Sequence, residues 1–385
     1  MPKISAEILT WARKGAGLSL EDAARAIGLS GEKAAARLEE MEAGERDPSR
    51  PQLLNMSKIY RRPLLTFYLQ APPPKAPQTH DFRTLPEQES GSEAILAALV
   101  RDVKVRQSLV RNALEDAEEE EPLRFVGSFD RKQGAAELAD AIARTLSFDR
   151  AAYRNARTID EAFKILRDAV ETAGVFVVIM GNLGHFTSNL SPRVFRGMAI
   201  ADPIAPFIVI NETDARSAWP FTLLHELGHI FIGESGISGY DGEQALEKLC
   251  DDAAARFLLD SDELRTIAAK GERLDDLVEE IGQFANARKV SRKMVAYNLL
   301  RTGIITAVIY RQLAARFDVD RLEFAQRANG AGAPDYYVVR RHRAGHGLIK
   351  LVDRMVAGGA LSTTKAGKIL GVKPTAVGRM TERVG

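Results

Sequence analysis

Apolar residues recur at helical spacing along most of the chain. In "SAEILTWARKGAG", "LSLEDAARAIG" and "SGEKAAARLEEMEAG" short apolar stripes are separated by glycine-bearing turns, which predicts a compact helical module over residues 1–70. Ser19 suits an N-cap, with Asp22 three residues on, and Gly28 and Gly44 suit helix ends. Between Glu93 and Glu121, Ile95, Leu96, Leu99, Val103, Leu109, Val110 and Leu114 make one stripe of a long helix; its acidic end, "EDAEEEEP", reads as solvated. "RTIDEAFKILRDAVETAG" (157–174) predicts another amphipathic helix. The pattern then shortens to three strand-like runs, "VFVVIM" (175–180), "FRGMAIAD" (195–202) and "PFIVIN" (206–211). An apolar helix, "FTLLHELGHIFIG" (221–233), follows them, and helical spacing then continues to about residue 328. The expected class is α+β, mostly helical, with a small sheet packed on that apolar helix.

Proline and glycine divide this pattern. "QAPPPKAPQ" (70–78) and "NGAGAPD" (329–335) read as linkers. The chain is accordingly divided into a helix-turn-helix-like module (1–70), a linker and helical region (71–156), a catalytic core (157–305) and a basic helical region (306–385). Over the whole chain 53 Lys+Arg oppose 52 Asp+Glu, so any nucleic-acid surface must be local. Cys250 is the only cysteine, which excludes an intrachain disulfide and suits a reducing compartment. No apolar run is long enough to span a bilayer, and the first residues lack a signal-peptide core, so a cytoplasmic protein without a membrane partner is expected.

The apolar helix carries chemistry. His225 and His229 are spaced i, i+4 and so share one helix face, with Glu226 on an adjacent part of the surface. That is the H-E-x-x-H arrangement, in which two imidazoles hold zinc and the carboxylate takes a proton from the attacking water. Leu223, Leu224, Leu227, Ile230, Phe231 and Ile232 anchor the helix and keep the pocket dry, and Gly228 is expected to leave room near the metal. An apolar core helix with incidental histidines would bury two imidazoles and a carboxylate at a high cost. A third ligand is required. The next helix, "GEQALEKLCDDAAARFLLD", offers Glu243, Glu247, Cys250, Asp251 and Asp252; Glu247, 18 residues after His229, lies at a suitable distance for a returning helix. Asp251, one turn on, is either an alternative ligand or a support for one. Cys250 reads as a small buried hydrophobe. Tyr240, Arg216 and His185 are the candidates for stabilising an oxyanion. "PFIVIN" is expected to pair with an extended substrate.

"PFIVINETDARSAWPFTLLHELGHIFIG" followed by "EKLCDDAAARFLLDSDEL" resembles the ImmA/IrrE family of zinc metallopeptidases. The resemblance runs over roughly 157–305, where "FKILRDAVETAGVFVV" and "ARKVSRKMVAYNLLRTGII" match the flanking elements. It implies a zincin-like, gluzincin-type core with one zinc per chain, and puts Glu247 in the third-ligand position. Asp251 stands where the family has Asn, and Asp260 where it has Pro. Residues 1–70 and "DFRTLP" (81–86) resemble the Xre-type helix-turn-helix of longer members, with Met41 in place of the usual Trp. Family members cut a partner repressor and so relieve transcriptional repression in mobile-element and stress systems, and a helix-turn-helix repressor is the implied substrate.

Two segments are candidates for contacting DNA. In the first module Lys33 and Arg37 lie on the expected recognition helix, but 11 Lys/Arg against 9 Asp/Glu make a weak electrostatic footprint. From Tyr336 to Gly385 there are ten Lys/Arg against two Asp/Glu. There "STTKAGKILGVKPTAVGRM" (362–380) reads as helix, turn, helix, with Lys373, Thr375 and Arg379 as contacts, or else as a hairpin packed on the core. A rival reading of the whole chain is a DNA-binding regulator with a structural or vestigial metal site.

Overall fold

The structure is a computed structural model that describes residues 4–60, 62–73, 92–183, 188–238, 244–267, 273–327 and 335–382. The chain divides into two compact units, Met1–Lys104 with Asn182–Leu190, and Val105–Gly181 with Ser191–Gly385.

The first unit holds α1 (Ala6–Lys14), α2 (Leu20–Ala26), α3 (Ala34–Glu42), α4 (Arg50–Ile59) and a 3₁₀ turn, Leu64–Tyr68. Its starts are written in the sequence. Ser19 Oγ accepts the Asp22 amide at 3.1 Å, and Ser49 with Gln52 forms a reciprocal capping box that precedes α4. Ile8, Leu9, Leu38, Leu53 and Phe67 close one core, and Arg13 clamps Glu42 through two bonds of 2.7 and 2.8 Å. Most of the proline-rich linker and all of "DFRTLP" lie outside the described residues, as do residues 329–334 of the second linker.

The chain passes from one unit to the other within α5 (Ser92–Asp116). This helix stops short of the expected Glu121. Glu118 turns to φ 55°, because a run of carboxylates is repelled by the negative end of the helix it would extend. Next come α6 (Ala135–Leu146), α7 (Arg150–Asn155) and α8 (Ile159–Thr172), then β1 (Phe176–Ile179), β2 (Gly197–Ile200) and β3 (Phe207–Ile210). They lead to α9 (Trp219–Ile232), β4 (Gly236–Ser238) and α10 (Gln244–Leu258). Four helices continue from there: α11 (Ser261–Leu264), α12 (Leu274–Arg288), α13 (Arg292–Arg301) and α14 (Ala307–Arg327). The apolar core of this unit runs from Phe129 to Phe317 and takes in the inner faces of α6, α8, α9, α10, α12 and α13.

The sheet has the order β1-β3-β2-β4. β1 and β3 are parallel, while β2 is antiparallel to both β3 and β4, with Gly197 opposite Ile210 on one side and Ser238 on the other. This corrects one expectation. β3, the "PFIVIN" strand, is paired along both edges, so it has no free ladder to offer a substrate. β4 was not expected at all; three residues are too few for an alternating pattern to register.

The C-terminal helices α15 (Tyr336–Ala344), α16 (His346–Ala357), α17 (Thr363–Leu370) and α18 (Val377–Thr381) complete the unit. α15 and α16 pack on β1, and α16 also packs on α8. The joint is a buried ion pair, Arg167 to Glu171 at 2.9 Å. Glu171 accepts the Gly347 amide at 2.7 Å, and Arg167 donates to the His342 carbonyl at 2.6 Å and to the Val177 carbonyl. In β1 the amides of Phe176 and Met180 point to β3, so by strand alternation the Val177 carbonyl points away from it. Arg167 therefore caps one carbonyl on the outer edge of β1, and α15 and α16 pack beside that edge.

Candidate metal centre

Helix α9 begins with Pro220 in its first turn and ends at Gly233, whose φ of 83° suits glycine. Every residue from Trp219 to Phe231 except Phe221 is buried, because the helix lies between the sheet and α10. The two helices approach closely at one point: a Cβ on Gly228 would lie 3.2 Å from Cys250 Sγ. Gly228 thus makes room for α10 rather than for a metal, a correction to the sequence expectation. Cys250 is fully buried, and burial pushes its thiol pKa up, so it behaves as a small apolar residue.

That approach brings the two helices' polar groups together. His225 Nε2 and His229 Nε2 are 3.1 Å apart, and each is 3.3 Å from a different oxygen of Glu247. A tetrahedral zinc with bonds of about 2.0–2.1 Å spaces its ligand atoms about 3.3 Å from one another. Each imidazole lies at that distance from its nearer Glu247 oxygen, so the three side chains are close enough to share one ion. Among the described residues they are the one group of this kind. On the far side of the first imidazole, His225 Nδ1 meets Asp251 at 2.9 Å. A proton shared there leaves Nε2 with its lone pair turned toward the cluster. Among the described residues His229 Nδ1 has no hydrogen-bond partner.

The electrostatics point the same way. Burial pulls the His225 pKa down, but hydrogen bonds to Asp251 and Glu247 and the charge of Glu226 hold it up to about 10. Burial would raise Glu247, and the two imidazoles bring it down to about 2. The carboxylates gathered around two imidazoles create a strong demand for positive charge, which a divalent ion would meet.

Glu226 is fully buried. Its carboxylate lies over β2, where a Cβ on Gly197 would come within 2.3 Å of Oε1. Sequence reading passed over Gly197, although a glycine inside a strand is a signal of close approach. Other candidates fall elsewhere. Arg216 pairs with Asp160 at 3.0 Å and covers the Trp219 ring. Asp252 pairs with Arg301 at 2.7 Å. Asn211, fully buried, pins the end of β3 by donating to the Phe195 carbonyl at 2.7 Å. Tyr240, His185 and Glu243 lie outside the described residues.

Comparison with known proteins agrees with this geometry over one stretch. Residues 182–300 match the Peptidase_M78 family model, described as the IrrE N-terminal-like domain. The match covers under a third of the chain and contains the whole cluster. No curated protein matches the chain. No helix among the described residues is long and apolar enough to cross a membrane.

Proposed function

We propose that this chain, whose residues 182–300 are of the ImmA/IrrE metallopeptidase type, is a zinc endopeptidase that cuts a partner repressor in a transcriptional switch. The observation that carries the reading is the convergence of His225, His229 and Glu247 within reach of one metal ion, with Glu226 beside them. The three side chains would hold one zinc per chain, in the gluzincin manner, and Asp251 would fix the orientation of His225. A zinc ion in that place supplies Lewis-acid polarisation of a water and of the scissile carbonyl. Glu226 takes a proton from the attacking water. As the water oxygen bonds to the carbonyl carbon and the C–N bond breaks, Glu226 passes that proton to the leaving amine. Leu223, Leu224 and Leu227, buried in the core, hold the helix that carries these groups in place.

The sheet edges favour one route for substrate. At the outer edge of β1 the Val177 carbonyl is taken by Arg167 and two helices pack alongside, whereas among the described residues no strand pairs with the outer edge of β4. An extended segment adding to β4 would lie next to the strand pair that carries Gly197 and, over it, Glu226. In the first unit, α2 and α3 with the turn between them are read as a helix-turn-helix module that docks the partner repressor. A purely structural metal site would have no use for a buried carboxylate seated over a strand glycine. The deciding experiment compares the wild type with Glu226→Gln. Zinc content and thermal midpoint should be retained while cleavage of the co-expressed repressor is lost. Cleavage by the variant at wild-type rate would reject the mechanism.

A further inference from the structure

We propose that the C-terminal helices carry a binding surface for duplex DNA, centred on α18 and separate from the metal cluster. α17 ends at Gly371, whose φ is 67°. The chain then turns through Val372 and Lys373 into a 3₁₀ turn, Pro374–Ala376, which runs on into α18. The two helical segments are held at a fixed angle by a tight contact. A Cβ on Gly367 would come within 2.9 Å of the Val372 carbonyl oxygen, and Arg106 donates to the Ile369 carbonyl at 3.3 Å. Helix, glycine turn and second helix in this register form the helix-turn-helix unit that seats its second helix in the major groove.

Burial says which face is outward. Ala366, Gly367, Ile369, Leu370, Val377 and Met380 are buried and close the module's own core. Lys373, Thr375, Gly378 and Arg379 are exposed. Nothing lies within 4 Å of where a Cβ on Gly378 would be, so a ligand can approach the α18 backbone closely. The neighbouring helix extends this surface. Arg341 on α15 donates to the Arg379 carbonyl at 3.2 Å, the Arg379 guanidinium lies over Tyr337 at 5.7 Å, and Arg340 lies over the exposed ring of Tyr336 at 5.2 Å. Lys373, Arg379 and Arg340 therefore flank one helix, with hydroxyl-bearing Thr375, Tyr336 and Tyr337 among them. That is a set suited to phosphate contacts on both sides of a groove. The deep, narrow major groove of A-form RNA would not admit α18. Among the described residues, the α3 face of the first unit is less basic. On α3 Arg37 is engaged by the Ser30 carbonyl, and Arg46, just beyond the helix, lies 3.9 Å from Glu40. Glu39 on the same helix is exposed.

The test is fluorescence anisotropy of the full chain on a labelled mixed-sequence duplex of about 25 base pairs, a length that spans more than two helical turns. Titrations run from 50 to 200 mM salt, the range over which phosphate contacts make affinity fall steeply. Two lost phosphate contacts lower the salt slope by about 1.8 and weaken binding about thirtyfold at 0.15 M salt. Lys373→Ala/Arg379→Ala should show that loss with an unchanged thermal midpoint, and Lys33→Ala/Arg37→Ala in the first unit should bind as the wild type does. The proposal is overturned if the C-terminal double variant binds like the wild type, or if the loss follows the first-unit variant instead. It is equally overturned if duplex is not bound at 50 mM salt, or if single-stranded RNA of the same length competes more strongly than duplex.

Discussion

Replacing Gly197 with alanine tests the placement of Glu226 without touching any candidate ligand. The backbone of Gly197 is not in the left-handed region, so alanine adds no backbone strain; its methyl group instead meets Glu226 Oε1 at 2.3 Å and Thr222 Cγ2 at 2.7 Å. A carbon-to-oxygen contact relaxes only near 3.3 Å. Either the carboxylate retreats by about 1 Å or β2 and α9 separate by that amount. Overpacking of this kind costs about 1–3 kcal/mol of stability. A 1 Å misplacement of a reacting group costs about a hundredfold in rate, equivalent to about 2.7 kcal/mol of barrier. The assay has three readouts on the same protein: initial rate of repressor cleavage, zinc per chain, and thermal midpoint. The expected result is a rate about two orders of magnitude lower, with one zinc retained and a midpoint lowered by several degrees. Wild-type turnover in the alanine variant would refute the reasoning, since it would mean that the position of Glu226 over β2 has no part in the chemistry.

Two further predictions concern carboxylates. Asp251→Asn keeps the size of the side chain but removes the charge from His225 Nδ1; zinc affinity, measured by competition with a chelator, should fall about 10- to 100-fold, and an unchanged affinity would show that Asp251 does not support the ligand. Glu263 is hydrogen-bonded by Arg154 at 2.9 Å and by Arg288 at 2.5 Å; burial raises its pKa, but the two guanidiniums outweigh that and hold it below the ordinary glutamate value. Its folded pKa is thus the lower one, so the stabilisation is complete above the unfolded value of about 4.3 and is lost as pH falls through the folded value. Thermal melts of the wild type and Glu263→Gln should differ most near neutral pH and converge in acid, and a gap that stays constant with pH would disprove the link.

The sequence made the chemistry more legible than its setting. His225, Glu226 and His229 announce themselves because i, i+4 spacing is a local property of a helix. Glu247 and Asp251 face them across a helix pair, and spacing alone left five candidates in the segment 242–260. The close approach of the helices at Gly228 and Cys250 accompanies two of those, Glu247 and Asp251, standing within reach of the histidines. The strand runs were readable, but their order was not. Pairing is a long-range property, so the position of β3 between β1 and β2 could not be inferred from "PFIVIN" itself. Gly228 was assigned to the metal side because helix spacing says which residues share a face and not which neighbour fills it.

The seal on β1 makes the C-terminal helices more than an appendage. A chain shortened to end near residue 334 would keep every candidate zinc ligand, yet it would remove α15 and α16 from beside β1 and open the Arg167–Glu171 pair to water. An unguarded strand edge recruits other strands. Such a fragment would gather into aggregates through β1, and loss of activity in it would report self-association rather than loss of a catalytic part.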